Sequence, residues 1–323
     1  MPDVIHGPTS IFSPAGTPAR LVFGLSQLIL SITLGIFVLV AGLLVFALIR
    51  YRSRPDDPHG LTEPAQIYGS NQIELSWTVV PILIVVMLFL ASARIIFTTE
   101  HATKPAAAVD VTVIGHQFWW EYRYPKYGVV TANELHIPVS YPSHPTPTYL
   151  TMSSADTNHS FWIPRLAGKM DVIPNHINVM WIDPPTPGLY LGQCAQYCGT
   201  QHAKMLLRVY ADTPEQFNTW ITQQQKASVQ DAAAQEGSQV FQHNACINCH
   251  TIAGTEAMGR FGPNLTHVGS RDTLASGSIP NTSANLRSFI DNPAHFKPGV
   301  LMPPMHLNDN DLDAVTAYLT TLK

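Results

Sequence analysis

"GQCAQYCGTQHAKM", residues 192–205, puts two cysteines, a histidine and a methionine within fourteen residues. Structural zinc sites use cysteine and histidine, whereas a thioether beside thiolate and imidazole is the ligand set of copper in electron-transfer sites. The stretch runs between "GLYLGQC" and "KMLLRVYA", in which apolar residues alternate, so it reads as a loop joining two strands. A loop on a rigid β scaffold holds ligands without rearrangement, as an electron carrier requires. In single-copper cupredoxins one cysteine, one histidine and a methionine come from such a loop, with a second histidine from an earlier strand. Here two thiolates stand four residues apart and can bridge two copper ions. His159 in "SADTNHSFWIP" is the best upstream candidate for the remaining imidazole, because it stands at a strand edge beside apolar residues.

Outward from the loop, "VDVTVIGH", "WWEYRY", "TYLTMSS" and "HINVMWI" repeat the two-residue period and are broken by proline and glycine, which predicts a β-sandwich or Greek-key barrel over residues 100–222. Residues 21–49 upstream carry no charge, and residues 75–97 are apolar except for Arg94 near their end. A helix needs about 20 such residues to cross a bilayer, so residues 21–99 read as a two-helix transmembrane hairpin. A secretory signal would need a basic start and an apolar run of only about 7–15 residues. Arg50, Arg52 and Arg54 follow the first span, which places the connecting loop in the cytoplasm and both chain ends, including a tail of residues 1–20, outside. Charged residues make up 12% of the chain and the formal net charge is −4, which excludes a nucleic-acid binder with clustered basic surface.

Downstream, residues 223–235 are rich in Gln, Ala and Ser and read as a flexible linker to a helical domain over residues 236–323. "CINCH" there is the signature of covalent c-type haem, with Cys246 and Cys249 as thioether sites and His250 as the proximal ligand. A zinc knuckle would need a second ligand pair. The two motifs use all four cysteines, so no disulfide framework is expected. In "NDNDLDAVTAYLTTL", Asn308 can cap a helix with Asp311 at its third position and Leu312, Val315 and Leu319 on one face.

From "NQIELSWTVVP" through "GHQFWWEYRY", "SADTNHSFWIP" and the loop to "LLRVY", the chain resembles subunit two of cytochrome c oxidase. The last ninety residues, with "EGSQVFQHNACINCHTI", "FGPNL" and "KPGVLMPPM", resemble small class I cytochromes c. The resemblance implies a cupredoxin-like barrel holding the dinuclear copper centre named CuA. Cys194 and Cys198 would bridge, His159 and His202 would each bind one copper, and Met205 and the main-chain carbonyl of Gln196 would be weaker ligands. The family usually has glutamate where Gln196 stands, and that carboxylate helps hold magnesium at the contact with subunit one; the amide here weakens the expectation of that magnesium. The cytochrome resemblance implies Met302, before Pro303, as the second axial haem ligand, with Gly237 and Phe241 packed near Tyr318 and Pro263 beside His250. Phe118 stands where the family usually has a tryptophan credited with passing electrons to CuA, and Trp119 follows as the candidate here. Glu74 resembles the family's glutamate at the mouth of a proton channel of subunit one, although a helix N-terminus favours glutamate in any case.

The function implied is that of the electron-accepting subunit of a terminal oxidase in the bacterial inner membrane, whose two metal domains face the periplasm. Electrons from cytochrome c or another external donor would pass from the c haem to CuA and on to oxidase subunit one. Oxygen would be reduced to water there, since neither span of this chain contains a histidine. The tether would raise the haem's effective concentration at CuA to about the millimolar range. Two other readings use the same residues: a carrier for a CuA-containing nitric oxide reductase, and a non-catalytic copper-handling protein.

Overall fold

The computed structural model describes residues 7–52, 68–228 and 234–323. They form two compact units, Leu21–Ala102 and a larger one joining the residues up to Arg20 with Thr103–Lys323.

The smaller unit holds α1 (Thr17–Arg50) beyond its first turn and α2 (Asn71–Glu100). Their 34 and 30 residues exceed what a hydrocarbon core of about 30 Å requires at about 1.5 Å per residue. Their large apolar side chains are exposed almost throughout, among them Phe37, Leu39, Leu83 and Phe89. That is the surface of a helix whose solvent is lipid or another membrane protein. Both helices overrun the apolar runs that reveal them, because polar turns at the ends still satisfy their own backbone. Most of the expected cytoplasmic loop, including Arg54, lies outside the described residues.

The larger unit begins with the tail. The Ala15 and Gly16 amides donate to the Arg165 carbonyl at 2.7 and 3.0 Å. Asp183 accepts from the Thr17 amide at 2.6 Å and from its hydroxyl at 2.5 Å, closing off the first turn of α1. Gly16 is required there, since a Cβ would stand 2.3 Å from the Leu166 carbonyl oxygen.

Ten strands follow: β1 (Val109–His116), β2 (Trp119–Tyr124), β3 (Val129–Ala132), β4 (Glu134–Pro138), β5 (Thr148–Ser154), β6 (His159–Trp162), β7 (Met170–Val172), β8 (Asn178–Ile182), β9 (Gly188–Cys194) and β10 (Leu206–Asp212). They form two five-stranded sheets, in the orders β3-β2-β1-β5-β8 and β4-β10-β9-β6-β7. β1 with β5 and β4 with β10 are parallel pairs, and the other pairs are antiparallel. The core between the sheets holds Trp120, Tyr122, Leu135, Leu150, Phe161 and Leu207. This is the expected cupredoxin-like domain. The helix α3 (Pro214–Gln224) closes it, started by a capping box between Thr213 and Gln216 and seated through Phe217 and Ile221.

The C-terminal domain contains α4 (Gln235–His243), α5 (Cys246–Cys249), a small hairpin of β11 (Thr273–Leu274) with β12 (Ile279–Pro280), then α6 (Ser283–Asp291), α7 (Pro293–Phe296) and α8 (Asp309–Thr321). α4 and α8 cross at Gly237, where a Cβ would lie 2.0 Å from the Ala314 carbonyl oxygen, and the Phe241 and Tyr318 rings meet at 6.1 Å. Asn308 caps α8 by accepting from the Asp311 amide at 2.9 Å, and Leu312, Val315 and Leu319 are buried. The sequence anticipates all of these contacts.

The haem domain also touches the copper domain directly. The Glu134 carboxylate on β4 accepts from the Asp272 amide at 3.2 Å and from the Thr273 amide and hydroxyl at 2.9 and 2.7 Å. The Leu206 amide donates to the Ser276 carbonyl at 3.2 Å, and Tyr210 donates to Asp272 at 2.7 Å. Specific polar contacts of this kind hold two domains in one docked arrangement. Residues 229–233 of the linker lie outside the described residues.

Candidate metal centres

β9 ends at Cys194 and β10 begins at Leu206, so the intervening loop is fixed at both ends by the β9–β10 ladder. The Cys194 amide closes it by donating to the Met205 carbonyl at 2.9 Å. β6 runs beside β9 and delivers His159. His159 and Met205 are fully buried, and Cys194 and Cys198 nearly so.

The two sulfurs lie 3.9 Å apart, far beyond the disulfide length of about 2.05 Å. His159 Nδ1 is 3.9 Å from Cys194 Sγ and His202 Nδ1 is 3.8 Å from Cys198 Sγ. The Gln196 carbonyl oxygen is 3.2 Å from Cys194 Sγ and Met205 Sδ is 3.9 Å from Cys198 Sγ. Each sulfur thus has one imidazole and one weaker donor. All six groups expected from the sequence converge, and this soft, buried donor set fits two thiolate-bridged copper ions.

The thiols are not equivalent. The adjacent Cys198 sulfur, with help from His159, pushes the Cys194 thiol down against the cost of burial. The same negative neighbour, with burial, holds the Cys198 thiol up. Metal binding to the pair requires both thiols to lose their protons.

Asp156 orients the site, and residue types alone do not single it out. Its carboxylate lies 2.9 Å from His159 Nε2 and accepts from the Thr157 and Gln117 amides, both at 2.6 Å. Because a carboxylate accepts, Nε2 carries the proton and Nδ1 faces Cys194 with its lone pair. Burial would raise the Asp156 carboxyl, but His159 and the two amides hold it below the usual carboxylate range.

In the C-terminal domain, Cys246 and Cys249 are three apart on the single turn of α5, so both side chains fall on one face. They line a cavity with His250, Leu265, Leu286, Ile290, Met302 and Met305. His250 Nδ1 is 2.8 Å from the Pro263 carbonyl, which can only accept, so Nε2 is the nitrogen left for a metal. Burial pushes the His250 imidazole below its ordinary value, which keeps it neutral as a ligand must be. Gly262 is a necessity, since a Cβ there would stand 2.6 Å from the imidazole. An apolar cavity with two thiols and a free imidazole nitrogen fits a covalently attached haem. Both methionines line it, so position alone does not choose between them.

The same cavity is bounded by Gln117, Phe118 and Trp119 from the β1–β2 turn of the copper domain. Trp119 is buried and stacks on His116 with ring centroids 4.1 Å apart. Gln117 Nε2 donates to the Cys198 carbonyl at 2.6 Å. The haem-domain segment before Met302 also touches the copper loop: Gln201 donates to the Pro298 carbonyl at 2.5 Å, and Lys204 to the Phe296 carbonyl at 2.6 Å. Gly299 has φ +82°, and a Cβ there would stand 2.7 Å from Thr200 Oγ1. Glu74 lies in the first turn of α2, exposed, and belongs to the other unit.

Three family models match the chain: "Cytochrome C oxidase subunit II, transmembrane domain" over residues 9–95, "Cytochrome C oxidase subunit II, periplasmic domain" over residues 141–211, and "Cytochrome c" over residues 234–323. The cytochrome c oxidase subunit 2 of Alkalihalophilus pseudofirmus is 33% identical, the match covering 96% of this chain and 90% of the relative. That of Bacillus sp. strain PS3 is 33% identical over 97% and 91%, and that of Bacillus subtilis 28% identical over 97% and 92%. With the thiol and imidazole cluster in one domain and the CINCH cavity in the other, the chain belongs to the cytochrome c oxidase subunit 2 family, in the form that carries a cytochrome c domain.

Proposed function

We propose that this subunit of cytochrome c oxidase receives electrons at a c-type haem and passes them to a dinuclear CuA centre and on to subunit one, where oxygen is reduced. Cys246 and Cys249 attach the haem, His250 and Met302 ligate it, and Cys194, Cys198, His159, His202, Met205 and the Gln196 carbonyl hold the copper. Bound there, the two groups supply one-electron transfer with little change in geometry. The protein's part is to fix the ligands, which the loop, anchored at both ends on β9 and β10, and Asp156 do.

The observation that carries this reading is the β1–β2 turn. Phe118 and Trp119 border the haem cavity, and Gln117 is hydrogen-bonded to the main chain of Cys198. One short segment thereby serves both sites. It supports Trp119 as an electron-transfer residue, with Phe118 beside it. Tail residues packed on the copper domain favour a topology in which both chain ends lie on the periplasmic side, the two spans leaving and returning. Glu74 fits the mouth of a proton channel of subunit one, its first-turn position being favoured also by the helix dipole. Magnesium at the subunit contact would lack a carboxylate at Gln196.

Rapid mixing of the oxidised, purified complex with a reduced external donor tests the order. The haem must become reduced first, and the near-infrared CuA band must then change at the rate at which the haem reoxidises. CuA reduction that precedes the haem's would overturn the reading.

A further inference from the structure

Two buried cations, Arg271 and Lys297, line the haem cavity, and no carboxylate does so among the described residues. Arg271 has an acidic neighbour, because Glu134 lies close and grips the two residues that follow it. Lys297 has no carboxylate neighbour of this kind, and only the Cys198 thiol opposes the effect of its burial. Its side chain is 2% exposed, and no described carboxylate forms an ion pair with it. One of its three N–H groups donates to the Phe118 carbonyl of the copper domain at 2.8 Å. Burial, reinforced by Lys204, pushes the ammonium down to about 7.

A buried ammonium without a carboxylate partner is costly, and such sites persist where an anion completes them. The anion has to reach the cavity, lie beside an apolar body and present a flexible carboxylate. A haem meets these conditions through its two propionates. We propose that Lys297 receives one haem propionate, so that a single ammonium joins the carboxylate edge of the haem to the Phe118 carbonyl of the copper domain. The proposal rests on the cavity holding haem. Lys297 is then a positioning residue that fixes the haem edge against the β1–β2 turn. It also sets the potential: without the cation, the propionate's negative charge stabilises ferric haem and the haem becomes harder to reduce.

The test is a redox titration of the c haem in the assembled oxidase. Lys297→Gln, which keeps a donor and loses the charge, should shift the equilibrium between haem and CuA about tenfold toward oxidised haem, or about 59 mV for one electron. Lys297→Arg should restore it, and exposed Lys226→Gln should leave it unchanged. In redox-difference infrared spectra of protein carrying 13C-carboxyl haem, the propionate band should move in Lys297→Gln. A wild-type potential and an unmoved band in that variant would overturn the proposal. Should neither variant take up haem, 15N-lysine labelling of the wild-type protein decides. Lys297 is the one lysine lining the cavity among the described residues, so a lysine band must change in the haem step, and its absence refutes the pairing. A wild-type protein without covalent haem would instead remove the reading beneath the proposal.

Discussion

Replacing Glu134 by alanine should release the haem domain from the copper domain while leaving both folded. Glu134 is 4% exposed and accepts three hydrogen bonds from Asp272 and Thr273. Hydrogen bonds to a charged group contribute about 1.5–3 kcal/mol each, but three on one carboxylate share a partner and do not add. Arg271 is also left buried beside the gap, where burial already pushes it down to about 10 and Glu134 is the group that opposes this. Because the three bonds share one carboxylate, about 3 kcal/mol is a conservative total for their loss. At about 1.4 kcal/mol per tenfold, the seam opens about 100-fold more often. Hydrogen exchange on the full chain reads this without touching Glu134, because the Leu206 amide is bonded across the seam to Ser276. Its exchange should accelerate about 100-fold while amides in the centre of β1 stay protected, and Glu134→Gln should fall between. Wild-type protection at Leu206 in a folded Glu134→Ala protein would refute the claim that this carboxylate holds the seam.

Other substitutions probe the metal sites. Cys194→Ser or Cys198→Ser should abolish the shared-valence copper spectrum and leave the c-haem spectrum intact, since a hydroxyl does not bridge copper as a thiolate does; an unchanged dinuclear signal in either would contradict the assignment. Asp156→Ala should weaken copper retention about 10–100-fold in chelator competition, the usual loss when the group orienting a histidine ligand is removed. Met302→Leu should eliminate the weak sulfur-to-iron absorption of oxidised haem and lower its potential, with Met305→Leu doing neither; the reverse would make Met305 the ligand. Gln196→Glu should strengthen manganese binding at the subunit contact without changing copper content, because a carboxylate is the better ligand for a hard cation.

Strands with a strict two-residue period could be read directly: β1, β2, β5 and β9 have the bounds that their alternation suggests. β3, β4 and β7 are short and carry no such signal, and β4 is placed by β10 from far along the chain, pairing Glu134 with Arg208. α3 is obscured by its glutamines, and only Phe217 and Ile221 bury it. The copper loop and CINCH are local clusters, so their residues could be named in advance. Asp156 lies three residues before His159, a spacing that gains meaning only once β6 has turned the ring. Glu134 and Lys297 were beyond reach, because their partners lie 139 and 179 residues away.

The contact between residues 296–299 and residues 200–204 has a bearing on how the protein matures. Thr200, Gln201 and Lys204 rim the loop that holds the copper ligands, and the haem domain rests on them. A partner delivering copper to Cys194 and Cys198 would meet that rim covered once the haem domain has docked. The haem domain follows the copper domain in the chain, so the copper domain is synthesised before its cover. Copper loading is therefore favoured early, before the haem domain has matured and docked. Once docking is complete, late repair of a lost copper ion requires the seam to open.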